Sequence, residues 1–238
     1  MKHITVLLSL LLCLACNKQH SHQDHNHNND HGHGHEHHEE ASAKQGEANT
    51  HMHKTSTEEL IKRFESPERD AYQLPEKVMD HLGDIQGKTI MDIGAGSGYF
   101  SVRLAERGAQ VIAADVDEDF LNHVKGRIET DSLQGIETRL IPYDSPGLKD
   151  EEADIVFIVN TYHHIEDRVA YFKKVKQGTK AYGELVIIDF YKTELPIGPP
   201  ADHKIAMDLV ITELKAAGYT RFDVDVELLP YQYVVRAR

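Results

Sequence analysis

Hydrophobic and polar positions follow two different periods along residues 57–238. Continuous apolar runs and period-two runs predict strands, and apolar residues spaced three and four positions apart predict helices between them. The predicted strands lie just before Gly94 and at 110–115, 136–141, 153–159, 184–188, 220–227 and 231–236. The predicted helices lie at 57–64, 76–82, 168–177 and 203–217, with two more that begin near Tyr99 and Asp117. This alternation predicts an α/β fold with a mainly parallel sheet.

A glycine turn joins the first predicted strand to the helix that begins near Tyr99. Its spacing is Gly94-x-Gly96-x-Gly98, with Asp92 two residues before the first glycine. Glycines permit positive φ angles and let the backbone approach a ligand, and the N-terminus of the following helix contributes a partial positive charge. Dinucleotide sites prefer the spacing G-x-G-x-x-G, so the spacing in this chain favours a ligand without a pyrophosphate.

An acidic residue, Asp115, ends the second predicted strand. An acid at this point of a nucleotide-binding α/β unit accepts hydrogen bonds from the two ribose hydroxyls. The alternative is that Asp115 caps the helix that begins near Asp117. A short-chain dehydrogenase would also need a Tyr-x-x-x-Lys pair, which this sequence lacks.

The glycine turn together with Asp115 resembles the class I S-adenosylmethionine (SAM) dependent methyltransferases. The resemblance covers roughly residues 65–238 and includes the segments 162–168 and 188–190. It implies a Rossmann-like methyltransferase fold, with a seven-stranded, mostly parallel sheet, a C-terminal antiparallel hairpin and helices on both faces. It also implies SAM as cofactor and methyl transfer as the activity.

The resemblance implies a set of cofactor-binding residues. An acid after the third strand binds the adenine amino group, and Asp144 is the matching residue. Arg69 or Gln73 is a candidate for the methionine carboxylate, because a guanidinium pairs well with a carboxylate; the alternative is that their segment is a surface helix and loop. The full set is Asp92, Gly94, Gly96, Gly98, Asp115, Asp144, Arg69 and Gln73.

Three further side chains are candidates for catalysis because they follow predicted parallel strands, whose carboxyl ends bind ligands. His163, His164 and Asp189 could supply the base that removes a proton from a hydroxyl, amine or acidic carbon. The alternative is that one histidine caps the next helix and the other packs on the sheet. The same three residues with His203 also have the side-chain types of a metal site.

Residues 1–16 resemble the signal peptide of a bacterial lipoprotein. A basic start precedes an apolar run at 4–15 that is too short to span a bilayer. Ala15 before Cys16 resembles a lipobox, which implies lipidation of Cys16 and attachment to a membrane. Cys13 is the only other cysteine, so residues 17–238 contain no intradomain disulfide. This lack of thiols argues against an arsenite methyltransferase.

Residues 17–54 predict a disordered, histidine-rich tether ahead of a domain at 55–238. Eleven histidines lie between His20 and His53, mostly two positions apart, and too few apolar residues accompany them to form a core. Imidazoles suit Zn²⁺, Ni²⁺ or Cu²⁺, either as a selected function or only as any polyhistidine segment would. The candidate ligands are His20, His22, His25, His27, His31, His33, His35 and His37.

The net charge and the N-terminal sequence limit which partners and which cellular location are expected. The chain has a net charge of −13, of which −11 lies on residues 55–238, and this disfavours a nucleic acid and favours a small-molecule acceptor. The lipobox predicts the cell envelope, where no supply of SAM is expected. Two alternatives therefore stay open: a non-catalytic or metal-handling lipoprotein that keeps the fold for ligand binding, and cytoplasmic use from an internal start at Met52.

Overall fold

A computed structural model describes residues 55–238 of the chain. The predicted signal peptide, the lipidation site at Cys16 and the histidine-rich tether with its candidate metal ligands lie outside the described residues. None of the described helices is both long and apolar enough to span a membrane.

Seven helices and seven strands follow one another along the described chain. The helices are α1 (Thr57–Phe64), α2 (Pro67–Gln73), α3 (Pro75–Leu82), α4 (Tyr99–Glu106), α5 (Glu118–Thr130), α6 (Arg168–Gly178) and α7 (Met207–Ala216). The strands are β1 (Thr89–Ile93), β2 (Gln110–Asp115), β3 (Ile136–Leu140), β4 (Ala153–Val159), β5 (Thr179–Phe190), β6 (Phe222–Asp225) and β7 (Gln232–Ala237). Two short 3₁₀ helices lie at Tyr162–His164 and Ala201–His203.

The strands form one sheet in the order β3-β2-β1-β4-β5-β7-β6. The first five are parallel, whereas β7 is antiparallel to both β5 and β6. This arrangement confirms the predicted sheet and its C-terminal hairpin. The order reverses between β1 and β4, and in open α/β sheets such a reversal opens a crevice at the carboxyl ends of the strands.

Side chains of the strands alternate between two helix-covered faces, as their period of two requires. On one face Met91 and Ile93 pack with α6 and α7, and on the other Ile90 packs with α3 and α4. Asp92 lies on the same face as Ile90 by this alternation, where Ser101 of α4 donates a hydrogen bond to it. Helices therefore cover both faces, as predicted.

The helix predicted from residue 203 begins instead at Met207. The chain makes one 3₁₀ turn at Ala201–His203 and then becomes extended at Lys204. The Lys204 side chain is almost fully buried, and its ammonium donates a hydrogen bond to the Thr193 carbonyl oxygen at 2.8 Å. This tertiary contact holds the segment out of the helix. Strand β5 is also longer than predicted, since it begins at Thr179 rather than at 184.

Candidate cofactor and active site

A cavity of about 660 Å³ opens at the carboxyl ends of the parallel strands. The glycine turn and the ends of β2 and β4 form its floor, and α1, α2 and the loop before α7 enclose it. Phe64 of α1 stacks on Phe120 of α5 with ring centroids 5.8 Å apart, which holds α1 over the opening. Most of the predicted site residues lie on or next to this cavity.

The glycine turn adopts the left-handed conformation that its residues allow. Gly94 and Gly96 have φ angles of +73° and +54° and line the cavity. A Cβ atom on Gly94 would lie 2.3 Å from Thr161 Oγ1, so only glycine permits the end of β4 to approach the turn. Gly98 is the N-cap of α4 and packs against Val124, outside the cavity lining.

Asp115 lies on the cavity wall with its carboxylate held by backbone amides. Oδ2 accepts a hydrogen bond from the Gly96 N–H at 2.8 Å, and Oδ1 accepts one from the Asp117 N–H at 3.0 Å. Burial raises the pKa of Asp115, and these amides oppose the rise. The N-cap of α5 is Asp117, whose side chain accepts from the Asp119 N–H, so Asp115 is not the helix cap.

Asp92 lies beneath the glycine turn rather than on the cavity lining. The residue is 3% exposed, and its carboxylate accepts a hydrogen bond from Ser101 Oγ at 2.7 Å. Burial raises the pKa of Asp92 to about 6, although Ser101 and the Arg69 charge lower it. In this structure Asp92 therefore connects β1 to α4.

Arg69 reaches the cavity from α2. Its guanidinium carbon lies 3.9 Å from the centroid of the Tyr99 ring, and Nη1 donates to the Phe64 carbonyl oxygen at 3.1 Å. Burial lowers the pKa of Arg69, and the nearby Asp92 opposes that change. Nε is buried, and no residue of 55–238 accepts a hydrogen bond from it. This charged donor on the cavity wall suits an anionic ligand group.

Besides Asp92 and Gly98, two more of the proposed cofactor residues lie outside the cavity lining. Gln73 is fully buried, and its side-chain amide is bonded to Gln232 and Asn160. Asp144 is exposed, and its carbonyl oxygen accepts from Lys174 Nζ. The wall beside Asp115 is formed by residues that the motif did not single out, namely Val116, Phe120, Ile141, Pro142, Tyr143 and Tyr171.

His163 and Asp189 form a hydrogen-bonded pair at the other end of the cavity. His163 Nδ1 lies 3.0 Å from both carboxylate oxygens of Asp189, which is fully buried and also accepts from the Phe190 N–H. A carboxylate can only accept, so Nδ1 carries a hydrogen, and in the neutral form of the ring the lone pair is therefore on Nε2. This arrangement orients the imidazole so that Nε2 can act as a base, with His163 on the cavity lining and Asp189 behind it.

His164 is also on the lining, with its ring centroid 4.2 Å from that of His163. Burial and the neighbouring His163 and His203 lower the pKa of His164 to about 3, while Asp189 opposes the change. His164 is therefore neutral at physiological pH. Within residues 55–238 no three His, Cys, Asp or Glu side chains are grouped so that they could hold a metal ion. The hypothesis of a metal site formed by His163, His164, Asp189 and His203 is therefore not supported.

Apolar side chains cover the end of the cavity near His163. The rings of Tyr72 and Phe190 lie 6.2 Å apart, and Pro199 and Pro200 approach from the loop before α7. A Cβ atom on Gly198 would lie 2.9 Å from the Phe190 ring, so glycine lets this loop close on it. The loop before α7 therefore contributes to the cavity lining.

The strand order, the glycine turn after β1 and the acid at the end of β2 together define a Rossmann-like domain. A family model described as a methyltransferase domain matches residues 91–187. A SAM-dependent methyltransferase structure from Aquifex aeolicus superposes with a TM-score of 0.71 and 27% identity, over 77% of this chain and 98% of that one. The matched family model and the superposed structure support a class I SAM-dependent methyltransferase family for this chain.

Curated relatives match only part of the chain. The ubiquinone biosynthesis O-methyltransferase of Acinetobacter baylyi is 31% identical over 109 residues, which are 44% of this chain and 45% of that protein. The tRNA U34 carboxymethyltransferase of Psychrobacter arcticus is 29% identical over 121 residues, 47% of this chain and 35% of that protein. This chain thus matches less than half the length of either relative.

Proposed function

We propose that residues 55–238 transfer the methyl group of SAM to a small hydroxyl-bearing acceptor. The observation that carries the proposal is the placement of three different groups on one cavity. Asp115 offers a buried carboxylate, Arg69 offers a charged donor, and the paired His163 offers a base. SAM, when bound, supplies an electrophilic methyl group, so the remaining task is to align and deprotonate a nucleophile.

The cavity residues suit the parts of SAM. The carboxylate oxygens of Asp115 have lone pairs beyond those used by the two amides, and these can accept from ribose hydroxyls. The buried Nε of Arg69 lacks a partner among the described residues, and a carboxylate would satisfy it. Gly94 and Gly96 leave the turn open for close backbone approach, and the apolar wall beside Asp115 suits a purine ring.

His163 supports an acceptor that must lose a proton. Because Asp189 fixes the hydrogen on Nδ1, Nε2 is the atom that takes the acceptor's proton. Asp189 also stabilises the imidazolium that results. Phe190, Pro199 and Pro200 enclose this end of the cavity, and excluding water keeps a newly formed nucleophile from being solvated.

The charges on the lining favour a neutral or acidic hydroxyl over an ammonium group. Among the described lining residues, the carboxylates are Asp115 and Asp117, both at the end of β2. The opposite end carries His163, His164 and His203, and no lining carboxylate faces a cation there. The relatives named above are named as methyl- or carboxymethyltransferases, and one is named as an O-methyltransferase, which favours catalysis over a purely binding role.

The experiment follows label from methyl-labelled SAM into a panel of phenols, hydroxy acids and amines, using the full chain. We expect transfer to hydroxyl compounds, and His163→Asn should reduce it by about 100-fold or more while leaving the affinity for S-adenosylhomocysteine intact. Transfer to amines alone would contradict the assignment of the acceptor. Transfer that is unaffected by His163→Asn would contradict the assignment of the base.

We further propose that lipidation of Cys16 anchors the protein to the bacterial cell envelope, with residues 17–54 as a histidine-rich spacer that binds Zn²⁺, Ni²⁺ or Cu²⁺. The supporting observations are the lipobox-like sequence and the histidine spacing. Inhibition of lipoprotein signal peptidase by globomycin should increase the apparent mass of the cellular protein. A protein of unchanged mass that begins at Met52 would instead show cytoplasmic use.

A further inference from the structure

Three amide side chains from distant parts of the chain form a closed hydrogen-bonded ring. Gln73 Nε2 donates to Gln232 Oε1 at 3.0 Å, Gln232 Nε2 donates to Asn160 Oδ1 at 2.5 Å, and Asn160 Nδ2 donates to Gln73 Oε1 at 3.3 Å. Gln73 and Gln232 are fully buried. Each amide therefore donates one hydrogen bond to one member of the ring and accepts one from the other member. Replacing any one of them leaves buried polar groups of the other two unpaired.

The ring joins three elements at the carboxyl edge of the sheet. Gln73 is the last residue of α2, Gln232 is the first residue of β7, and Asn160 directly follows β4. Asn160 has a φ angle of +57°, which is uncommon for a residue with a side chain, and its amide N–H donates to the Ile188 carbonyl oxygen. Only Asn160 of the three lines the cavity. The ring thus fixes α2 relative to the strands that form the cavity floor.

Arg69 lies one helical turn before Gln73 on α2, so the two side chains leave the same face of the helix. Arg69 reaches the cavity, whereas Gln73 reaches the ring. A shift of α2 at Gln73 would carry the guanidinium away from its place over the Tyr99 ring. The position of Arg69 therefore depends on the hydrogen bonds of Gln73, a residue that lies outside the cavity lining.

We propose that Gln73 and Gln232 are positioning residues that act through Arg69 to set the methionine end of the SAM site. This inference rests on the proposed function. It gives Gln73 an indirect part in cofactor binding in place of direct contact with the carboxylate. The adenosine end, which Asp115 and the glycine turn form, is independent of the ring.

Calorimetry with two ligands tests the proposal on the full chain. S-Adenosylhomocysteine contains both ends of the cofactor, whereas 5′-deoxy-5′-methylthioadenosine lacks the amino acid carboxylate. Gln232→Met and Gln73→Met break the ring from different sides and keep the side-chain size. Each should weaken binding of S-adenosylhomocysteine by about tenfold and leave binding of methylthioadenosine unchanged. Gln134→Met, at an exposed glutamine, is the matched control and should change neither affinity.

A double-mutant cycle with Arg69→Gln shows whether the ring acts through Arg69. Arg69→Gln alone should show the same selective loss, and adding Gln232→Met should weaken S-adenosylhomocysteine binding no further. Additive losses, equal losses for the two ligands, or no loss in either ring variant would each overturn the proposal. Failure of the wild-type chain to bind both ligands would overturn the proposed function itself, and this inference with it.

Discussion

His163 Nδ1 lies 3.0 Å from each carboxylate oxygen of Asp189, so the two groups share a hydrogen within the wall of the cavity. Neither residue is close to the other in sequence, since one follows β4 and the other lies near the end of β5. The parallel pairing of β4 with β5 brings them together. The imidazole is thereby held in one tautomer before any acceptor binds.

Asp189→Asn should reverse that tautomer. The asparagine amide would donate to Nδ1, so the hydrogen would move to Nε2 and the base would lose its lone pair at the cavity. Nitrogen-15 chemical shifts of the His163 ring measure the change without any knowledge of the acceptor. Asp202→Asn, at an exposed position of the loop before α7, is the control and should leave the His163 spectrum unchanged. A spectrum that Asp189→Asn does not alter would contradict the pairing.

His164 should stay neutral between pH 5 and 8. Its pKa in the folded protein is about 3, below the ordinary value near 6.5, so the unfolded chain binds the extra proton and stability falls as the pH drops below about 6.5. His164→Asn removes this effect and should reduce the loss of stability between pH 6.5 and 4 by up to about 3 kcal/mol. Chemical shifts of the His164 ring measure its protonation, and denaturant unfolding at each pH measures the stability. A His164 titration near pH 6.5 would contradict them.

Asp92 should affect stability with the opposite sign. Its pKa in the folded protein is about 6, above the ordinary value, so the folded state favours the protonated form and stability falls as the pH rises from about 4 to 6. Asp92→Asn keeps an acceptor for Ser101 and should stabilise the protein above pH 6 by up to about 3 kcal/mol. The difference should vanish below pH 4. Equal stability of the two proteins at pH 7 would contradict the assignment.

Gly94→Ala should be strongly destabilising, because the new methyl group would meet Thr161 at a positive φ angle. We expect a loss of about 3 kcal/mol in unfolding free energy from the clash and the backbone strain. Gly126→Ala is the matched control, since Gly126 is exposed within α5 and a Cβ atom there meets nothing within 4 Å. This control should stabilise the protein by roughly 0.5–1 kcal/mol. Similar effects of the two changes would contradict the close approach of β4 to the turn.

Local patterns predicted most of the fold. The apolar runs of β2 and β4 agree with their predicted bounds, because a buried parallel strand leaves a continuous signal in sequence. The placement of Asp115 beside Gly96 also follows from the glycine turn and the parallel pairing of β1 with β2. These relationships follow from short sequence patterns and from backbone geometry that many parallel sheets share.

Contacts between distant residues were not predictable in the same way. Gln73 and Gln232 are 159 positions apart, and they meet only because β7 inserts beside β5. The late start of α7 depends on burial of Lys204, which no helical periodicity reveals. The aromatic contact of Phe64 with Phe120 likewise needs α1 to fold over α5. In each case the packing of distant parts of the chain determines the contact or the helix boundary, and no local pattern records it.

The most direct test of the account is calorimetric binding of S-adenosylhomocysteine to the full chain and to Asp115→Ala. We predict micromolar or tighter binding by the wild-type protein and a loss of about 100-fold in the variant, because two ribose hydroxyls lose a charged acceptor. Asp131→Ala, at the exposed end of α5, should bind as the wild type does. Absence of binding by the wild-type chain, or equal binding by Asp115→Ala, would contradict the assignment of this cavity to SAM.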